Sequence, residues 1–267
     1  MNPDLLTYEI APQVTAFSTK RHGGYSQGNY AAFNVNLYCG DDTQSICRNR
    51  QMLCSFLGVD ESRLVMPHQT HQTKVCTVDD SFFSLGKEER TAALEGVDAV
   101  TTSLKNVCIG VSTADCIPVL LYDTEHHVAA AVHAGWRGTV ARIVEKTVTH
   151  MQQRYGSLPQ RMKAVIGPGI SLECFEVGEE LYTVFAEAGF PMDDLARRFP
   201  AMRNDEVGEK WHIDLPRCNR LQLLTAGLPA SQILSSGICT YQQSDDFFSA
   251  RRLGIQSGRI FTGIVLR

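Results

Sequence analysis

Hydrophobic positions along the chain gather into short runs rich in Val, Ile and Ala. The runs fall at Val14–Thr19, Lys74–Val78, Val107–Thr113, Val119–Tyr122, Val128–His133, Lys163–Ile166 and Ile260–Leu266. Runs of that length and composition predict strands. Four longer segments carry helical signals instead. Thr139–Tyr155 sets Val140, Ile143, Val144, Val148 and Met151 on one stripe and ends before Gly156, a favoured stop. Asp42–Leu57 opens on acidic and Thr residues and closes at Gly58, and Glu179–Ala188 is stopped by Gly189. Asp214–Thr225 begins with a capping Asp and an early Pro216, as helix N-termini prefer. Ser81–Thr91 and Met192–Glu209 are charged or turn-rich and read as surface loops.

Strands and helices are interleaved, but several strands follow one another directly. This pattern predicts a mixed α/β fold in which sheets pack on each other and helices cover the outside. No 20–50-residue repeat or low-complexity linker divides the chain, so residues 1–267 read as one domain. A hydrophobic content of 43% is that of a folded globular chain. The net charge of −4 and the lack of a long basic run argue against nucleic acid as a partner. A pocket for one small phosphate is still allowed, because it needs only a few local donors. The sequence has no stretch near the ~20 apolar residues that span a bilayer, and its first residues lack a cationic segment followed by an apolar run. Nine cysteines, an odd number, include no C-x-x-C pair. Together these features predict a cytoplasmic protein without a disulfide framework.

Three segments carry soft or borderline metal donors: PHQTHQTKV at 67–75, STADCIPVLLYD at 112–123 and AAAVHAGWRGT at 129–139. His133 shares its strand face with Ala129 and Ala131, small residues that leave room beside an imidazole. Taken alone, it reads as a half-buried His at a strand end. Cys116 lies between Asp115 and Ile117-Pro118, a turn that points a side chain off the sheet. Alone, it reads as one more free thiol. His68 and His71, three apart, face opposite sides of an extended chain, and spacing does not choose between them. Two His and one Cys with an open fourth position form the pattern of catalytic zinc. On Asp42–Leu57, Arg50 falls within the stripe Ile46, Leu53, Leu57. There it must snorkel, pair with a carboxylate or face an anion. Arg137 is a second candidate for an anion, and the glycines of Lys20-Arg21-His22-Gly23-Gly24 allow a backbone nest for one. Asp98 and Asp115 are candidate acids or bases and equally candidate turn formers.

At these residues the chain resembles the YfiH/laccase-domain family. Ala114-Asp115-Cys116 followed by His133-Ala134-Gly135-Trp136-Arg137-Gly138 looks like its signature. The resemblance runs over nearly the whole chain. It takes in His22-Gly23-Gly24-Tyr25-Ser26-Gln27-Gly28, Asn36-Leu37, Asp41-Asp42, Asn49-Arg50, Gly167-Pro168-Gly169-Ile170, Cys174-Phe175-Glu176-Val177, Cys239-Thr240, Phe248-Ser249, Arg251-Arg252 and Gly258-Arg259. Gln69-Thr70-His71 matches the family's Gln-x-His, which implies that His71 and not His68 is the ligand. Gln72 stands where the family usually has Gly, and Gly tolerates backbone conformations that Gln does not.

The resemblance implies a layered α/β/β/α domain and a zinc site, with copper as the other metal, held by His71, Cys116 and His133. It implies phosphorolysis of adenosine, inosine, guanosine and methylthioadenosine, with adenosine deamination at the same type of site. The catalytic residues would be Cys116, His71 and His133, with Arg50, Asn36, Asp98 and Arg137 around a purine nucleoside and phosphate. A copper-dependent polyphenol oxidase would need several His clusters, and this chain has eight His and no H-x-H. The zinc deaminase pattern H-x-E with P-C-x-x-C is also absent. Two rivals from other classes are a metal-free hydrolase with Cys116 as nucleophile and His133 as base, and a non-catalytic metal- or nucleotide-binding module.

Overall fold

A computed structural model describes residues 2–202 and 208–267. Two sheets lie face to face. The larger runs in the order Ile233–Ser235, Met162–Ile166, Ile117–Asp123, Val128–Ala134, Val97–Thr102, Lys74–Thr77, antiparallel through its middle and parallel at both edges. The second runs Leu5–Tyr8, Val14–Thr19, Ile260–Leu266, Cys108–Thr113, Leu64–Val65. Their central strands are buried along both faces, as sheets covered on each side require.

Side-chain alternation sorts the residues into layers. On Val128–Ala134, Ala129 and Ala131 turn inward among Ile109, Val111, Leu120, Tyr122 and Ile264, the core between the sheets. Val128, Ala130 and Val132 turn outward onto Ile143, Val148 and Met151 of the helix Ile143–Tyr155, with Cys218 and Leu223 of Leu215–Thr225 in the same layer. Across the second sheet, Phe17, Phe261 and Val265 pack on Leu53, Cys54 and Leu57 of the helix Thr43–Leu57. The architecture is the expected α/β/β/α layering. A smaller sheet, Glu176–Val177, Glu209–Ile213, Ala196–Pro200, sits beside it. Among the described residues, no helix is long and apolar enough to cross a membrane.

The capping signals hold where they were read. Asp42 accepts the Ser45 N–H at 2.8 Å, and Asp214 accepts that of Arg217 at 2.9 Å. Three expectations are corrected. Thr139–Tyr155 is not one helix: Trp136–Val140 precedes it, and the chain breaks at Arg142, whose φ is 62°. The Arg142 guanidinium bonds the Ala188 carbonyl at 2.7 Å and covers the Phe190 ring, contacts that hold the break. Ser81–Thr91 is not a loop but mostly two short helices, Asp80–Ser84 and Lys87–Ala93. Asp79 caps the first, and the Glu89 carboxylate accepts the Gly86 N–H at the start of the second. Within Met192–Glu209, residues 192–195 are helical and Ala196–Pro200 pairs antiparallel with Glu209–Ile213. Residues 203–207 of that expected loop lie outside the described residues.

Gly110 on Cys108–Thr113 faces Gly263 across the ladder. A Cβ there would overlap the Phe261 ring and come within 2.7 Å of the Thr262 carbonyl oxygen. Overpacking of this kind costs about 1–3 kcal/mol. Gly110→Ala is therefore expected to lower the denaturant midpoint at unchanged slope, and an unaltered midpoint would show that the Phe261 ring and the helix Thr43–Leu57 behind it can shift without cost.

Candidate metal centre

The chain passes from one sheet to the other between Thr113 and Ile117, and Cys116 sits in that crossing. Asp115 just before it holds a left-handed φ of 85°. Its two carboxylate oxygens accept Thr240 Oγ1 and the Arg251 N–H, both at 2.7 Å, and its carbonyl accepts the Ile170 N–H. Asp115 is thereby a turn former, and it aims Cys116 at the neighbouring strand end. There His133 faces the inter-sheet side, opposite Pro118 and 3% exposed.

His71 arrives on the third segment. Gln69 pins that loop to the second sheet: its Oε1 accepts the Ser112 N–H at 2.7 Å and its Nε2 donates to the Ser112 carbonyl at 2.8 Å. Asp98, fully buried, gathers the next three amides, accepting the N–H groups of Thr70, His71 and Gln72 at 3.2, 3.0 and 2.8 Å. It also accepts His133 Nδ1 at 2.7 Å. Burial alone would raise the Asp98 carboxyl, but His133 and the amides hold it below the usual carboxylate range. An ionised Asp98 makes His133 Nδ1 the donor and turns Nε2 toward the cluster. The left-handed residue of the loop is His71, with a φ of 63°, and not Gln72. The change from Gly to Gln therefore carries no backbone strain.

The three side chains converge. Cys116 Sγ lies 3.8 Å from His71 Nε2, the two imidazoles meet edge to face at 4.8 Å between centroids, and one ligand atom from each residue falls within 4.8 Å of the others. Gly135 closes the back: a Cβ there would stand 2.9 Å from His71 Cδ2, 3.0 Å from Cys116 Sγ and 3.6 Å from His133 Nε2. Burial would push the Cys116 thiol up, but the charge and hydrogen bond of His133 and the contact with His71 outweigh it, and the thiol drops to about 6. Burial would lower His133, but Cys116 and Asp98 raise it to about 9. Two imidazoles and a ready thiolate, with an open side at exposed His71, fit a three-ligand zinc or copper ion. Among the described residues this is the one group of three or more His, Cys, Asp or Glu side chains placed to hold an ion.

The cavity over the cluster is lined by Asn36, Tyr38, Cys39, His68, Gln69 and Arg259, among others. Asn36 Oδ1 accepts the Tyr38 N–H at 2.6 Å. His68 stacks on Tyr38 at 4.2 Å and pairs with Glu95 at 2.8 Å, so it lines the wall outside the donor cluster. Three expected contacts do not line this cavity. Arg50 opens onto a second cavity, reaching the Val35 and Leu64 carbonyls at 3.4 Å and Glu61 at 3.9 Å. Arg137 is exposed and lies over the ring of its own neighbour Trp136 at 4.1 Å. Asp98 stands behind His133, every contact spent on protein. In the 20–24 loop the Lys20 and Arg21 N–H groups are spent on the Asp4 and Asp246 carbonyls at 2.9 Å each. Arg21 bonds the Ala31 and Ser244 carbonyls, and Gly24 presses on the backbone of Ala32.

Sequence reasoning gave no role to Tyr38, Cys39 or Arg259. Among the described residues, Arg259 is the sole Lys or Arg lining the cavity. The Gly258-Arg259 block was its only trace in the sequence.

Among the described residues, the α/β/β/α scaffold carries one His–Cys–His cluster at the junction of its sheets, an arrangement able to hold one metal ion. The chain belongs to the family described as multi-copper polyphenol oxidoreductase laccase, whose profile matches residues 15–267. A purine nucleoside phosphorylase of Bacteroides thetaiotaomicron is 46% identical over 253 residues, covering 95% of this chain and 92% of that protein. The adenosine deaminase RL5 of an unknown prokaryotic organism is 45% identical over 251 residues, 94% of this chain and 93% of the relative. The crystal structure of the Bacillus licheniformis hypothetical protein YfiH superposes with a TM-score of 0.88 at 29% identity, covering 99% of this chain and 97% of that one.

Two substitutions test the centre. An Asn at 98 would donate to His133 Nδ1 and turn an Nε2–H into the cluster. Asp98→Asn should weaken zinc binding by about 10–100-fold, the usual loss when a ligand's supporting partner is removed, as read by competition with a chromogenic chelator. Gly135→Ala keeps an ordinary backbone, since φ is −67°, but fills the space between His71 and Cys116. It should abolish zinc binding while leaving the melting temperature near that of the wild type. Full zinc occupancy in the Gly135→Ala protein would mean the ion sits elsewhere.

Proposed function

We propose that this enzyme splits purine nucleosides with phosphate at a zinc site formed by His71, Cys116 and His133. Adenosine, inosine, guanosine and methylthioadenosine form the substrate set. The observation that carries the reading is the convergence of the three donors under a cavity holding one guanidinium, Arg259, and one aromatic face, Tyr38. The names of the relatives from Bacteroides thetaiotaomicron and the unknown prokaryote support purine nucleosides as the substrate class.

Phosphorolysis breaks the bond from the anomeric carbon to the base nitrogen, forms a bond from that carbon to a phosphate oxygen, and returns a proton to the base. Arg259 lines the cavity with Nη1 on the Ser257 and Gly258 carbonyls and Nη2 on the Ile255 carbonyl, and its remaining N–H groups would bind phosphate. Tyr38 offers the base a face for stacking, and Asn36 gives it a polar edge. Zinc held by His71, Cys116 and His133 would supply Lewis-acid polarisation. His133, its Nδ1–H held by Asp98, keeps its other nitrogen fixed on the cluster. Adenosine deamination is a second reaction proposed for the same pocket, supported by the name of the 45%-identical relative. The metal-free rival rests on the lowered Cys116 thiol beside His133, and it predicts turnover that survives chelation.

Base release from inosine and adenosine should require phosphate and fall with chelator. Cys116→Ala should abolish it with a melting temperature within a few degrees of wild type, because Cys116 is half-buried in a polar turn, where truncation leaves little cavity. Arg259→Ala should raise the KM for phosphate by about tenfold, the loss of one charge-assisted contact, with a smaller effect on that for inosine. Release without phosphate would make the protein a hydrolase, and an active, zinc-loaded Cys116→Ala protein would remove Cys116 from both the metal and the nucleophile roles.

A further inference from the structure

Beside the metal-site cavity, and sharing Tyr38 with it, lies a larger one of about 610 Å³. It opens between the helices Thr43–Leu57 and Lys87–Ala93 and the strand Leu64–Val65. Its floor is apolar and buried, made by Leu64, Val65, Met66, Phe82 and Leu94. Its wall carries three cations, Arg50, Lys87 and Arg90, against one carboxylate, Glu61. In a chain of net charge −4 this is a local reversal of sign.

The cations are poorly spent on the protein. Arg50 is 11% exposed, yet its contact with Glu61 is 3.9 Å and its two bonds to carbonyls are 3.4 Å each. Arg90 Nε is buried without a hydrogen-bond partner. A buried unpaired donor costs about 1–3 kcal/mol, and an ion pair at 3.9 Å with a half-exposed Glu61 returns little. At the mouth, Leu37 is left 47% exposed. Cavities of this size with an apolar floor and a few convergent polar groups are the usual form of small-molecule sites.

We infer that this cavity binds a small amphipathic anion, one with an aliphatic or aromatic body and a single carboxylate or phosphate headgroup. The body would lie on Phe82, Leu94 and Met66 and cover Leu37. The headgroup would sit between Arg50 and Arg90, where guanidinium forks match the oxygens of either group, with Lys87 at the rim. A neutral chain would bury the same apolar area but leave the Arg90 donor unpaired. The site is distinct from the catalytic pocket and holds whatever reaction occurs there.

Calorimetric titration of the zinc-loaded protein with decanoate, decyl phosphate and decanol tests the inference. At least one anion should bind one-to-one, about tenfold or more tighter than decanol. The preference between the two anions identifies the headgroup. Arg90→Gln should weaken the anions about tenfold and leave decanol unchanged. Lys87→Glu, on an exposed first-turn position where an acid suits the helix, should do the same in part, and it serves if Arg90→Gln fails to fold. Equal affinity for decanol and the anions, no saturable binding of either anion, or folded variants that bind anions as the wild type does would each overturn the assignment.

Discussion

A carboxylate taken out of water must find donors or give up its charge, and Asp98 meets that condition with four of them. Three are consecutive backbone N–H groups of Thr70, His71 and Gln72, and the fourth is His133 Nδ1. One buried charge therefore fixes two of the three converging side chains at once. It sets the path of the loop that presents His71, and it decides which nitrogen of His133 points at the cluster. Removing the carboxylate would release a loop and a tautomer together.

The third donor depends on a different constraint. Cys116 lies where the chain leaves one sheet for the other, and a crossing that short leaves the turn little freedom. Asp115 takes the left-handed conformation that turn needs, and contacts from Thr240, Arg251 and Ile170 hold it there. His71 is left-handed as well. Non-glycine residues in that region collect at functional sites, where surrounding contacts over-determine them. Both here sit within one residue of a metal donor or are the donor. Gly135 completes the arrangement by what it lacks, since any Cβ would occupy the space the three donors share.

The family description and the site differ in metal count. A multicopper centre needs several imidazole clusters, whereas the described residues offer one group of three donors, one of them a thiol. Three converging donors beside one guanidinium and one aromatic face are the features on which the proposed nucleoside chemistry rests. The second cavity, with its several cations over an apolar floor, differs in chemistry from the first although Tyr38 borders both.

Periodicity and capping are local properties, so the sequence by itself determined the strand-rich middle of the chain, the helices at Thr43–Leu57 and Leu215–Thr225, and the layered class. It failed at Ser81–Thr91, where single side-chain caps on very short helices leave no period to read. It failed again at Ala196–Pro200, where Arg197 and Arg198 are exposed and only the partner Glu209–Ile213 makes a strand. The donors were visible as residue types on three segments, and the family pattern chose His71 over His68. Their assembly was not visible, because Asp98 reaches partners 27 and 35 residues away and no local spacing encodes that. The misplaced Arg50 makes the same point. Its oddity in an apolar stripe was legible, but a helix face borders whatever packs against it, and only the tertiary structure decided that Arg50 borders the second cavity while Arg259, from the far end of the chain, borders the first.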